Sequence, residues 1–229
     1  VPTSFVMRKI PLHTHTLLLL IFLGMNVQAG SGFESWLNIS LGQRLDYGLE
    51  AKVETEQWFA SESPTYKHIE IMPQLIWHYS PRYDFTVGYA YDWTQQANRM
   101  ITVGNSGFFD TTVKIPFQRF NLSSRQRLQF GTEATEEDQN GFVALYRPKT
   151  VLEYEMPWLP LRLMPFVADE VFFDMNTGVL LENRAQIGVA YRINKSWRIE
   201  VYGMRVDQWD MTGENSNFPV AGLNFAMQF

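Results

Sequence analysis

Side chains able to do covalent chemistry are few in this sequence. The chain has 229 residues and no cysteine, so a thiolate nucleophile, a thiolate metal site and a disulfide are all excluded. The tripeptide His78-Tyr79-Ser80 sets an imidazole two residues from a hydroxyl. That pair is the minimum for acyl transfer: the imidazole takes the hydroxyl proton, and a third group orients the ring. Against catalysis, Pro81 follows the serine directly and the tripeptide lies at a turn, where His78 has the simpler role of closing a strand end. There is no Gly-x-Ser-x-Gly motif and no close pair of histidines, so no metal and no cofactor is expected. His68, near Glu70, reads as a strand-end residue beneath a loop. A second set of residues could do electrostatic work instead. Arg147, Glu155, Arg162, Glu170 and Arg184 all fall in the second half, on segments whose opposite positions are apolar.

Those segments alternate. Residues 47–59 set Leu49, Ala51, Val53 and Phe59 against Glu50, Lys52, Glu54 and Glu56. Residues 83–93 set Tyr83, Phe85, Val87, Tyr89, Tyr91 and Trp93 against smaller and acidic residues. The same period of two runs through 142–156 and 182–193, and more weakly through 33–45, 66–79, 109–120, 124–134, 160–174 and 197–209. A last strand over 217–229 places Leu223, Phe225, Met227 and Phe229 on one face. Period two means strands. Segments this long, apolar on one face and charged on the other, suit a tilted crossing of a bilayer. A sheet in lipid must close so that every backbone group is paired.

The beginning of the chain reads as an export signal. Met7-Arg8-Lys9 is basic, Leu17 to Leu23 is apolar but too short to span, and Val27-Gln28-Ala29 is a cleavage pattern. Cleavage after Ala29 leaves one domain, residues 30–229, in which His68 and His78 are the remaining histidines. Short connections (46–48, 80–82, 121–124, 157–160, 194–196) alternate with longer ones (60–65, 94–108, 135–141, 175–181, 210–216). Trp77, Tyr79, Tyr83, Tyr154, Trp158 and Trp197 gather beside the short ones. Short periplasmic turns, longer outer loops and an aromatic girdle are features of outer-membrane barrels. The expectation is therefore an all-β, closed antiparallel up-and-down transmembrane barrel in a bacterial outer membrane. Alternation gives eleven strands. Because single-chain bacterial barrels have even numbers, twelve is expected and ten is the alternative, with residues 94–114 as the place of the error.

Further residues carry a family resemblance. They are Arg125-Gln126-Arg127-Leu128, the strand from Phe142, Asp169-Glu170-Val171-Phe172-Phe173, Asn183-Arg184, Gly188-Val189-Ala190-Tyr191 and Glu200-Val201-Tyr202, with an opening around Trp36 and Glu54 to Phe59. Together they resemble the bacterial outer-membrane family called domain of unknown function 2490. The resemblance implies location and fold, and brings no activity.

Pairing about a tight turn at Pro157–Pro160 would set Arg147 opposite Glu170 and Glu155 opposite Arg162, with Arg184 beside Glu170 on the next strand. All five would face the lumen, as a filling network or as a selectivity lining. The acidic runs at Glu133–Asp138 and Asp207–Glu214 would lie on outer loops. The functional expectation is a narrow passive channel or a structural envelope protein. One alternative is a lipid acyl hydrolase using His78 and Ser80, and another is a soluble periplasmic binder. Expected partners are the bilayer, lipopolysaccharide and the barrel assembly machinery, recognising Leu223, Phe225, Met227 and Phe229. With a net charge of −5 and no basic stripe, nucleic acid is not among them. A mean hydropathy of −0.19 excludes a bundle of membrane-spanning helices.

Overall fold

The computed structural model describes residues 33–60, 66–95, 101–135, 141–156, 163–209 and 215–229. The expected leader and its expected cleavage after Ala29 fall on residues outside these. The strands are β1 (Glu34–Arg44), β2 (Leu49–Ala60), β3 (Tyr66–Ser80), β4 (Tyr83–Gln95), β5 (Ile101–Phe117), β6 (Phe120–Thr135), β7 (Gly141–Tyr154), β8 (Leu163–Asp174), β9 (Val179–Arg192), β10 (Trp197–Trp209) and β11 (Asn215–Gln228). They form one closed barrel in sequence order, each hydrogen-bonded to the next.

The expected twelve strands are corrected to eleven among the described residues. An up-and-down path reverses direction at every step, so an odd count brings the first and last strands together pointing the same way. Accordingly β1 and β11 pair in parallel, from Glu34↔Val220 to Gly42↔Gln228, while every other neighbour is antiparallel. The expected long loop over 94–108 is corrected as well, because β4 continues to Gln95 and β5 already begins at Ile101. Gly104-Asn105-Ser106-Gly107 has turn composition, which hid the strand. Its small residues serve the interior instead: Ser106 is buried and accepts a hydrogen bond from Gln129 Nε2 at 2.7 Å.

Closure requires tilt and stagger. Followed through β2 to β5, the partners of Trp36 lead by way of Trp58, His68, Thr94 and Thr102 to Thr135 at one end of β6. Followed the other way, through Gly222, Tyr202, Gly188, Phe166 and Glu153, they reach Asn121 at the other end of the same strand. That drift fixes which residues share a level of the interior.

Alternation sorts the two faces. Outward positions carry Val53, Ile71, Val87, Phe109, Ile187 and Val189, all exposed, Ile187 to 68%. Trp77, Tyr79, Tyr83 and Trp197 are exposed on the same face, beside the short turns. The inward face is narrow, and large rings there lie over glycines on the paired strand. A β-carbon on Gly222 would sit 1.9 Å from Tyr202 Cζ, and one on Gly88 would sit 2.2 Å from Phe108 Cζ. Two apolar clusters occupy the interior, one of Trp36, Met164, Phe166, Tyr202 and Met204 with their neighbours, the other of Met72, Ala90 and Phe108.

Candidate functional site in the barrel interior

Three arginines cross the waist of the barrel, each compensated by acids and seated on a ring. Arg127 binds Asp110 with two hydrogen bonds of 2.8 and 2.9 Å and lies 3.8 Å from the Phe108 ring centre. Arg147 donates to Gln129 at 2.8 Å and to Glu170 at 3.1 Å, and lies 4.1 Å from Phe172. Arg184 donates to Glu182 and, at 3.4 Å, to Glu56; it is 4.4 Å from Phe172 and 4.6 Å from Trp36. Phe172 is thus shared by two guanidiniums. Trp36 in turn stacks on Trp58 at 4.3 Å, and Trp58 on His68 at 4.2 Å. Two further cations, Arg125 and Lys149 (3.5 Å), also reach the carboxylate of Glu170. An uncompensated charge this deep would cost several kcal/mol, roughly 3–5 when one partner of a buried pair is removed.

Cavities lie on either side of this waist. Toward the end with the longer connections is one of about 330 Å³, lined among others by Trp58, His68, Glu70, Asp92, Arg147 and Arg184. Glu70 there is buried, and its carboxylate makes neither a hydrogen bond nor an ion pair among the described residues. Toward the short turns lie two cavities, of about 810 and 230 Å³, which share Ser40, Lys52, Arg198 and Ala226 in their linings. No residue lines both the 330 Å³ cavity and either of these two.

The residues expected from the sequence fall as follows. Glu170 is in direct register with Arg184, yet Arg184 turns to Glu182 and Glu56 instead. The residue opposite Glu170 on β7 is Lys149, not Arg147, so the expected pairing is corrected. Arg147 reaches Glu170 diagonally, past Pro148, which has no N–H to give the ladder. Glu155 lies beyond β7, exposed, and accepts from Asn121 Nδ2 at 3.3 Å. Arg162 lies outside the described residues, as do Trp158 and most of the two acidic runs.

His78 is held between two carboxylates, Nε2 at 3.0 Å from Glu50 and Nδ1 at 2.9 Å from Asp84. Ser80 Oγ accepts the backbone N–H groups of Arg82 and Tyr83, both at 3.2 Å, and so caps the turn. A strand irregularity lies between the two residues, and no hydrogen bond joins them among the described residues. Leu223, Phe225 and Met227 share the outward parity of β11, but Leu223 is buried, Phe225 and Met227 are half-buried, and Phe229 is exposed at the end.

Trp36, Trp58 and Phe172 were marked by sequence only within the stretches that carry the family resemblance, with no role in the charge network. The parity of β2 already placed Trp58 with Glu50, Lys52, Glu54 and Glu56, which is an aromatic ring on the charged face. What it stacks on depends on β1 and β3, and no local pattern supplies that.

A family model described as "Protein of unknown function (DUF2490)" matches residues 33–217. No curated protein matches the chain.

Proposed function

We propose, from the fact that the chain belongs to the DUF2490 family of proteins of unknown function and from the geometry of its barrel, that it is a bacterial outer-membrane barrel sealed at its waist. Its role is that of a structural envelope component with separate chambers at its two ends, and it is not an open pore. The observation that carries this is the packed waist. Arg127 with Asp110 on Phe108, and Arg147 with Glu170 on Phe172, fill the interior between cavities that share no lining residue. Long side chains leave little bore in a barrel of this size.

The membrane setting is supported by the outward row of Val53, Ile71, Val87, Ile187 and Val189, which a water-soluble barrel would turn inward. It is also supported by the girdle of Trp77, Tyr79, Tyr83 and Trp197 and by the apolar leader ending at Ala29. Lipid and lipopolysaccharide would then be the neighbours of the wall, and the terminal row through Phe229 would be what the assembly machinery reads. The odd strand number among the described residues departs from the even counts of bacterial single-chain barrels, and the parallel β1–β11 seam is its geometric consequence.

Two measurements test the reading. The refolded protein should shift its gel mobility on heating, as closed barrels in detergent do, and should insert into a planar bilayer without discrete openings. Discrete ion-selective steps from the unmutated protein would overturn the sealed waist. Quantitative recovery without detergent, with no mobility shift, would overturn the membrane setting.

A further inference from the structure

One cavity of the barrel is basic. It is at the short-turn end, about 810 Å³, and five cationic side chains line it: Arg44, Lys52, Arg192, Lys195 and Arg198. One acidic side chain, Glu50, lines it with them, and that carboxylate already accepts from Gln228 Nε2 at 2.7 Å and meets His78. Lys52 and Arg198 are satisfied by Glu54, Glu153 and Glu200. Arg44, Arg192 and Lys195 are different. They are exposed at the rim and have no carboxylate within ion-pair distance among the described residues.

The lining also passes through the wall. Ala226 and Gln228, from the lumen face of β11, and Met227 and Phe229, from its outer face, all border the same cavity. The cavity therefore straddles the end of β11, beside the parallel seam. Phe229 is 68% exposed there, and Trp197, packed edge-on against Phe225 at 5.1 Å, adds an aromatic ring to the outer lip. A cluster of unpaired cations next to an apolar lip matches an anionic amphiphile, not a free anion. Guanidinium groups bind phosphate oxygens in paired hydrogen bonds, and the lip would lie beside acyl chains.

We infer that this mouth binds an anionic phospholipid, its phosphate held by Arg44, Arg192 and Lys195 and its chains lying on Trp197, Met227 and Phe229. This rests on the membrane setting proposed above. The lipid would enter sideways, where β11 ends, and its headgroup would sit at the level of the aromatic girdle.

The test uses the full chain purified in a neutral detergent, with lipid retention read by native mass spectrometry. Short-chain phosphatidylglycerol, short-chain phosphatidylcholine and inorganic phosphate are offered in parallel. Phosphatidylglycerol should be retained selectively. The triple variant Arg44→Gln, Arg192→Gln, Lys195→Gln should bind it roughly a hundredfold more weakly, as three lost contacts between basic side chains and an anionic lipid imply. Its heat-dependent mobility should be unchanged, because these side chains hold nothing else among the described residues. Arg205→Gln, which alters an exposed cation on the outer face of β10, should change nothing. Equal retention of the two lipids, or full retention by the triple variant, would overturn the inference while leaving the barrel reading intact. Competition by inorganic phosphate at the same concentration as the lipid would overturn the lipid assignment. A wild-type chain that needs no detergent and shows no mobility shift would remove the membrane setting itself.

Discussion

The waist and the short-turn mouth use the same cationic residue types in opposite ways. At the waist, Arg127, Arg147 and Arg184 are buried, each has acid partners, and each lies on an aromatic ring. At the mouth, Arg44, Arg192 and Lys195 are exposed and have no acid partner among the described residues. The difference follows from desolvation. A charge taken out of water must be matched within the protein, whereas a charge at a rim keeps its water and stays available to a ligand. Residue type does not distinguish structure from binding in this barrel. Compensation does.

The hardest blow to the comparison is Glu170→Gln. It leaves Arg125, Arg147 and Lys149 facing one neutral amide, and should cost about 3–5 kcal/mol in urea unfolding from detergent. A loss under about 1 kcal/mol would mean that the waist is solvated and does not differ from the mouth. Next comes Val189→Arg on the outer wall, where Val189 is flanked in register by Val201 and Pro165. Near mid-bilayer it should cost roughly 2–4 kcal/mol, and no measurable loss would mean that the wall faces water. Gly222→Ala should cost about 1–3 kcal/mol, because its methyl group meets the Tyr202 ring. Tyr202→Leu in the same chain should recover part of that loss if the waist is as tightly packed as described. The smallest effect belongs to the mouth itself. Arg44→Gln with Arg192→Gln should change unfolding stability by less than about 0.5 kcal/mol while altering anion retention. A larger destabilisation would show that these cations are structural after all.

Much of the barrel was legible in sequence because a strand's side-chain period is a property of its own backbone. Leu49, Val53 and Val87 could be assigned to one face and Glu50, Lys52 and Glu54 to the other without knowing any neighbour. The long connection at 94–108 was misread for the converse reason. Gly104 to Gly107 have turn chemistry, and what holds them extended is pairing with β4 and β6. The lumen network was half legible. Arg147, Glu170 and Arg184 share a face by parity alone, but Pro148 and the true register made Lys149 the residue opposite Glu170. Trp36 and Trp58 meet across one hairpin, where only the β1–β2 register sets them opposite each other, and Phe172 joins them through Arg184 from β8, far away in the chain.

Sequence by itself determined the period of the strands, the two faces and the short turns at 46–48, 80–82 and 194–196, since each depends on neighbours a few residues away. The turn expected at 121–124 is corrected to 118–119, because Asn121 to Ser124 pair within β6 with Pro116 to Val113, and the one expected at 157–160 lies outside the described residues. Alternation also gives eleven strands, a number that only the even-count rule opposes. Tertiary structure alone decided the parallel meeting of β1 with β11 that an odd count requires, and which of the charges are matched. The reason is stagger. The partner of any interior residue depends on register offsets accumulated around the whole circumference, and those offsets become definite only when the last strand meets the first.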